Sequence, residues 1–136
     1  MKIINNSLFR ISFPPIILLA IHVVVTKAGL YERFWWFDIP MHFVGGVLVA
    51  ISITLLLQIF SQEKKIVLNS KILEFLIIIS ITSLFAVSWE FMEFFFDFYF
   101  SSHMQGNMTD TLKDLCLGLL GAYIVAVAVI SKKRTL

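Results

Sequence analysis

One cysteine occurs in the whole chain, Cys116, and it lies inside an apolar block, so no internal disulfide braces this protein. By the burial habit of free cysteine it reads as a packing or lipid-facing residue. Charge is scarce too: 15% of the 136 residues are charged and 59% are hydrophobic, which excludes an ordinary soluble domain of this size. The few basic residues form no stripe interleaved with exposed aromatics, and this excludes nucleic acid as a partner. Amphipathic stripes are also missing. The apolar residues come in blocks, whose natural solvent is the hydrocarbon of a bilayer. Missing motifs narrow the chemistry further. There is no GxSxG nucleophile elbow and no HExxH zinc helix, and the paired Glu-x-x-His of di-iron bundles is absent, which discounts oxygen chemistry. No small-x-small cleavage pattern follows the first apolar block, so it reads as a retained span and not as a signal peptide.

What is present is four long apolar blocks, at about 11–30, 39–60, 72–97 and 110–130. They predict an all-α fold, an integral membrane bundle of four transmembrane helices, with residues 1–136 as one domain. Pro14 and Pro15 are expected at the entrance of the first helix, where a missing N–H is harmless. His22, inside that span, reads as packed against a neighbouring helix. Trp35 and Trp36 have the character of an interfacial belt. Asp38 stands just before the second span with Pro40 in its first turn, which suits an N-cap. The third span, some 26 residues, is roughly 39 Å long at 1.5 Å per residue, more than a hydrocarbon core of about 30 Å; its acidic end, Asp97 with Glu93, is therefore open to being simply wet. Gly106-Asn107 is a turn signal, and Thr109 is the expected cap of the fourth span, with Asp110 at the positive end of the helix dipole.

The basic residues are distributed unevenly. The N-terminal lead (Lys2, Arg10), the loop with Lys64, Lys65 and Lys71, and the tail with Lys132, Lys133 and Arg134 hold eight, whereas Lys27, Arg33 and Lys113 are the three on the other side. The positive-inside rule then puts both termini in the cytoplasm of a cell whose inner membrane this chain crosses. Seven of the nine acids, Glu32 among them, fall on the outer side.

Those acids are patterned. Glu90, Glu93 and Asp97 recur at i, i+3 and i+7, Asp38 precedes His42 by four, and Asp110 precedes Asp114 by four, so each set occupies one helix face. Short loops make the helices neighbours, and Gly46 with His42, Gly118 and Gly121 with Asp114, and Ser83 and Ala86 beneath Glu90 allow close approach on those same faces. A charge near the centre of a span costs about 2.5–3.5 kcal/mol, and Lys113, Arg33 and Lys27 are too few to neutralise the set. A divalent metal would serve. Asp38, His42, Glu90, Glu93, Asp110 and Asp114 are the candidate ligands, and Glu90, Glu93 and Asp114 the candidate catalytic groups. Carboxylates with one or two imidazoles suit Mg, Mn or Ca, with Zn admitted by His42 and His103.

At these residues the chain resembles the YjdF-like proteins, a family of predicted bacterial inner-membrane proteins of unknown function, and more faintly the VanZ-like membrane proteins. The likeness covers roughly 31–122. A WFDKxxHFxxG-like stretch corresponds to Trp36, Phe37, Asp38, His42, Phe43 and Gly46, an aromatic-E-x-x-E stretch to Trp89, Glu90 and Glu93, and a QGDxWDxxxD-like stretch to Gln105, Gly106, Asp110 and Asp114. The Leu-Gly-Ala at 120–122 follows. Ile39, Asn107 and Thr109 stand where that family often has Lys, Asp and Trp. Losing the lysine removes an anion contact, and Asn107 removes one loop carboxylate.

Three functions fit these features. A metal-dependent hydrolase or transferase would act on a lipid or lipid-linked phosphate. An ion or proton transporter would use the carboxylates as a relay, although the inner halves offer it little beyond Ser52, Thr54, Gln58 and Ser80. A structural or accessory subunit would use them to hold helices together. In each case the partner is the bilayer, with a homo-oligomer or a larger membrane complex open.

Overall fold

The computed structural model describes residues 2–101 and 104–132, with side chains from Leu8 onward. His103, Lys133 and Arg134 lie outside the described residues. Five helices follow in order: α1 (Lys2–Lys27), a single turn α2 (Leu30–Arg33), α3 (Asp38–Gln62), α4 (Lys71–Phe100) and α5 (Met108–Lys132), with no strand among the described residues. Leu8–Lys27 of α1 and the whole of α3, α4 and α5 are long and apolar enough to cross a membrane, so the all-α, four-span expectation holds.

The helix ends correct four details of the sequence reading. Pro14 and Pro15 lie inside α1 and not at its entrance. The ring fixes φ in the helical range, so the pair interrupts only the hydrogen bonds to the carbonyls four residues earlier, on Arg10 and Ile11. The first span stops at Lys27, because Gly29 takes the left-handed conformation with φ +64° that ends a helix. Asp38 caps nothing: Phe37 holds the N-cap position of α3 without a side-chain hydrogen bond, and the Asp38 carboxylate turns into the bundle. Asn107, not Thr109, caps α5. Its Oδ1 accepts from the backbone N–H groups of Thr109 and Asp110 at 2.9 and 3.1 Å, a reach that the short amide side chain makes without strain. At the other end of the molecule Ser70 caps α4, accepting from the Leu73 N–H at 3.3 Å.

The 30 residues of α4 make it about 45 Å long. Its last two turns carry stacked i, i+4 pairs, Phe94 with Phe98 and Phe95 with Tyr99. All four rings are exposed, the composition of an aromatic belt at a membrane surface. Cys116 also faces outward from the bundle, in keeping with a lipid-facing residue.

α3 is the hub. It packs most closely on α5, then on α1 and α4, and α4 also packs on α5; α1 and α4 do not pack along each other. The dry core lies where α3, α4 and α5 meet, at Ala50, Ile53, Leu57, Ile78, Ala122 and Ala126. Above it the backbones of α3 and α5 come together at glycines. A Cβ on Gly46 would overlap the Gly118 carbonyl, and one on Gly121 would overlap the Phe43 carbonyl, so neither position has room for a side chain. Gly45, one residue from Gly46, points the other way, and a Cβ there meets only the tip of Leu18 at 3.3 Å.

This contrast is testable. Gly46→Ala should destabilise the protein by about 1–3 kcal/mol through overpacking against rigid backbone. Gly45→Ala should stay within about 0.5 kcal/mol. Thermal unfolding in one detergent measures both; equal melting temperatures for the two variants would contradict the α3–α5 contact.

Candidate metal centre

The start of α3, the end of α4 and the start of α5 share one end of the bundle, and their polar side chains converge there. His42 is the centre. Its Nε2 lies 3.2 Å from Asp38 Oδ1 and 3.9 Å from Asp114 Oδ2, while Nδ1 lies 3.9 Å from Glu90 Oε1. Each ring nitrogen thus faces carboxylates from a different part of the bundle. The i, i+4 spacing stacks Asp38 over His42, and Gly46 one further turn along lets α5 bring Asp114 within reach.

Five of the six residues expected at the site therefore meet: Asp38, His42, Glu90, Glu93 and Asp114. Glu90, Glu93 and Asp114 are 7%, 8% and 4% exposed, so Glu93 is not simply wet. Asp110 is different. It stands at the rim, half-exposed, with its Oδ1 2.5 Å from Lys113 Nζ. Lys113 also lies 3.5 Å from Asp114 and 3.9 Å from Asp38, so a single ammonium serves three carboxylates. Glu93 accepts a hydrogen bond from Trp89 Nε1 at 2.8 Å. Asp114 Oδ1 is buried and makes no hydrogen bond; the Lys113 ammonium, 3.5 Å away, faces it as an ion-pair partner.

Two sets of ligand atoms have the spacing of a metal site. Asp38, His42 and Asp114 form one, and His42, Glu90 and Glu93 the other, each with its atoms within 4.8 Å of one another. A cation that holds its ligands at about 2.0–2.6 Å separates them by at most about 4–5 Å. Either set reaches that geometry through small side-chain adjustments. They share the imidazole, one set on Nε2 and the other on Nδ1.

Several residues that the sequence analysis left at the margin belong to this site. His22 is buried and packed, as expected of it: the Tyr31 hydroxyl is 2.9 Å from its Nδ1, and its ring meets Trp89 edge-on at 4.8 Å. Tyr31, in the connection after α1, has its phenol pushed well above the ordinary range, first by burial and then by the Asp38 and Glu93 carboxylates. It stays protonated and can donate to His22. Asp97 stands apart. It accepts from the backbone N–H groups of Met104 and Gln105 at 2.6 and 3.0 Å and so holds the α4–α5 loop in place. Glu74, absent from the sequence reading, is 1% exposed in the first turn of α4, at the far end from His42. The i, i+4 stripe from Glu74 through Ile78, Thr82 and Ala86 to Glu90 was the available signal, and the first-turn position suits a carboxylate on dipole grounds.

Four apolar spans around a partly buried imidazole and its carboxylates define a multi-pass membrane protein with a polar centre near one face. The chain belongs to the family described as "Predicted membrane protein (DUF2238)", whose model matches residues 6–134. No curated protein and no solved structure matches it.

The Trp89 contact gives a direct check on the site's construction. Trp89→Phe keeps the ring packing on His22 and removes the only N–H shown donating to Glu93. It should cost about 1–3 kcal/mol, the penalty of a buried acceptor left short of a donor, read as a lower melting temperature. An unchanged melting temperature would mean that Glu93 does not depend on this bond.

Proposed function

We propose that this centre binds a divalent metal ion and that the protein is a metal-dependent hydrolase or transferase acting on a lipid or lipid-linked phosphate at the outer face of a cell membrane. The observation that carries the reading is the imidazole of His42 held between two carboxylate sets with one lysine to balance them. A ligating histidine commonly donates its other ring N–H to a carboxylate, which fixes the ring. The 3.2 Å approach of Asp38 to Nε2 suits that orienting role, and it leaves Nδ1 to join Glu90 and Glu93 as ligands. Asp114, which lies 3.5 Å from Lys113, is then the candidate general base, and Lys113 restrains Asp110 at the rim.

The metal would polarise a phosphoryl oxygen and lower the pKa of a bound water. Water adds to phosphorus, the bond to the leaving oxygen breaks, and the water proton passes through a carboxylate to that oxygen. The basic-residue distribution and the likeness to YjdF-like bacterial inner-membrane proteins support an outward-facing centre with cytoplasmic termini. Mg and Mn suit the carboxylate majority, and Zn suits the imidazole.

The relay alternative draws less support. The hydroxyls of Ser52, Thr54 and Thr82 each donate to the carbonyl four residues earlier, and the space between the centre and Glu74 is filled by the apolar core around Ala50 and Ile78.

Elemental analysis of protein purified without chelator should find stoichiometric divalent metal. His42→Ala and Glu93→Ala should lose it while remaining helical by circular dichroism, and Asp110→Asn should keep most of it. Metal-free wild-type protein that is folded and does not take up Mg, Mn or Zn on dialysis would remove the proposal.

A further inference from the structure

Two cavities meet at the centre. The first, about 270 Å³, runs between α1 and α4 over the face of α3, and its walls are mostly apolar: Leu18 and Leu19 from α1, Val49 from α3, Phe85 and Ala86 from α4. The second, about 290 Å³, lies toward the end of the bundle under the α2 turn and the α4–α5 loop, and Glu32, Trp35, Asp110 and Lys113 are among its walls. His22, Tyr31, Asp38 and Glu93 line both. The polar cluster is thus the junction of an apolar slot and a polar chamber.

The dimensions of the slot identify what fits it. Along α3 it extends from Asp38 to Val49, roughly 16 Å at the helical rise, which is about the depth of one leaflet of a 30 Å hydrocarbon core. Its side is open. α1 and α4 do not pack along each other, and Leu19 and Phe85, one on each helix, line the slot while remaining half-exposed. A hydrocarbon chain can therefore enter from the bilayer with a second chain left outside.

The chamber identifies the headgroup. Its carboxylates are Glu32, Asp38, Glu93 and Asp110, and its one ammonium, Lys113, is already held by Asp110. The Tyr31 and Trp35 rings stand beside them. Carboxylates with aromatic faces attract a cation, whereas a headgroup with only negative charge gains nothing from them. We infer that the paired cavities bind an amphiphile whose headgroup carries a cationic amine, with one chain in the α1–α4 slot, the amine in the acidic chamber and the linking phosphate at His42. This rests on the reading of the cluster as the reacting centre, and it narrows the substrate from lipid phosphates in general to amine-bearing ones.

Trp89 lines the slot and provides the readout. The chain has three tryptophans, so Trp35→Phe with Trp36→Phe leaves Trp89 as the sole indole. Three single-chain probes brominated on the chain carbons next to the headgroup, dodecylphosphocholine, dodecyl phosphate and dodecanol, are titrated into this protein in amphipol, with and without chelator. Saturable quenching is expected from all three, with the phosphocholine at least about tenfold tighter than the phosphate, the scale of one desolvated cation contact. Leu18→Phe, which fills the slot, should weaken all three. Glu32→Lys, at an exposed position, should abolish or reverse the preference for the amine. Quenching that never saturates, an anionic probe that binds tightest, indifference to Leu18→Phe, or free phosphocholine competing at concentrations equal to those of the dodecyl probe would each overturn the inference. The amine preference is carried by the protein's own carboxylates and persists in chelator. Loss of metal binding alone would sink the catalytic proposal and leave this one standing.

Discussion

The structure depends on the backbone contact between α3 and α5 at Gly46, Gly118 and Gly121. In a bilayer, helices gain nothing from hiding apolar surface, because lipid tails are as apolar as leucine, so close packing and polar contacts must supply the association. With no side chains at these glycines, the two helices approach until carbonyl meets backbone, and His42, one turn above Gly46, is brought against Asp114, one turn above Gly118. A wider spacing would leave each carboxylate in hydrocarbon with no counterpart. The polar centre and the tight seam are one arrangement.

α4 completes that arrangement from the other side. It meets α3 and α5 through the dry core below and supplies Glu90 and Glu93 above, while staying clear of α1. A four-helix bundle with every neighbour closed would have sealed the centre from the membrane. Here the open side between α1 and α4 leaves a leaflet-deep slot, and the aromatic trio of His22, Tyr31 and Trp89 bridges the two helices only at its top. The slot open to lipid reaches the His42 imidazole, and the polar chamber meets the slot at His22, Tyr31, Asp38 and Glu93. This suits a reaction on a molecule that is itself part membrane and part solvent.

Electrostatics at the centre are unbalanced by design of the sequence. Lys113 divides its charge among Asp38, Asp110 and Asp114, whereas Glu93 has an indole N–H and Glu90 faces the imidazole. Such a set is neutralised by shared protons, by water or by a cation from outside the chain. A metal between the ring and the glutamates, with an amine in the chamber beyond, would supply positive charge at both places where the protein provides little.

The four spans, the shared end of the acids and the pairing of acids with small residues on the helix faces were legible in the residues. Hydropathy blocks and i, i+4 spacing are local properties, and the bilayer leaves helices as the only way to satisfy the backbone. Asp38, His42, Glu90, Glu93 and Asp114 were named from spacing alone, and they meet. Asp110 was grouped with them by the same spacing, but its position in the first turn puts it on the rim, and a four-residue repeat does not report depth. Asp38 looked like a helix cap because the chain around it permits one; its carboxylate instead meets His42 of the same helix at 3.2 Å, with Lys113 of α5 3.9 Å away. The slot, the chamber and the roles of Tyr31, Trp89 and Asp97 come from how helices distant in sequence face one another. Periodicity along one helix carries no record of the gap between two, so those features belonged to the tertiary structure to decide.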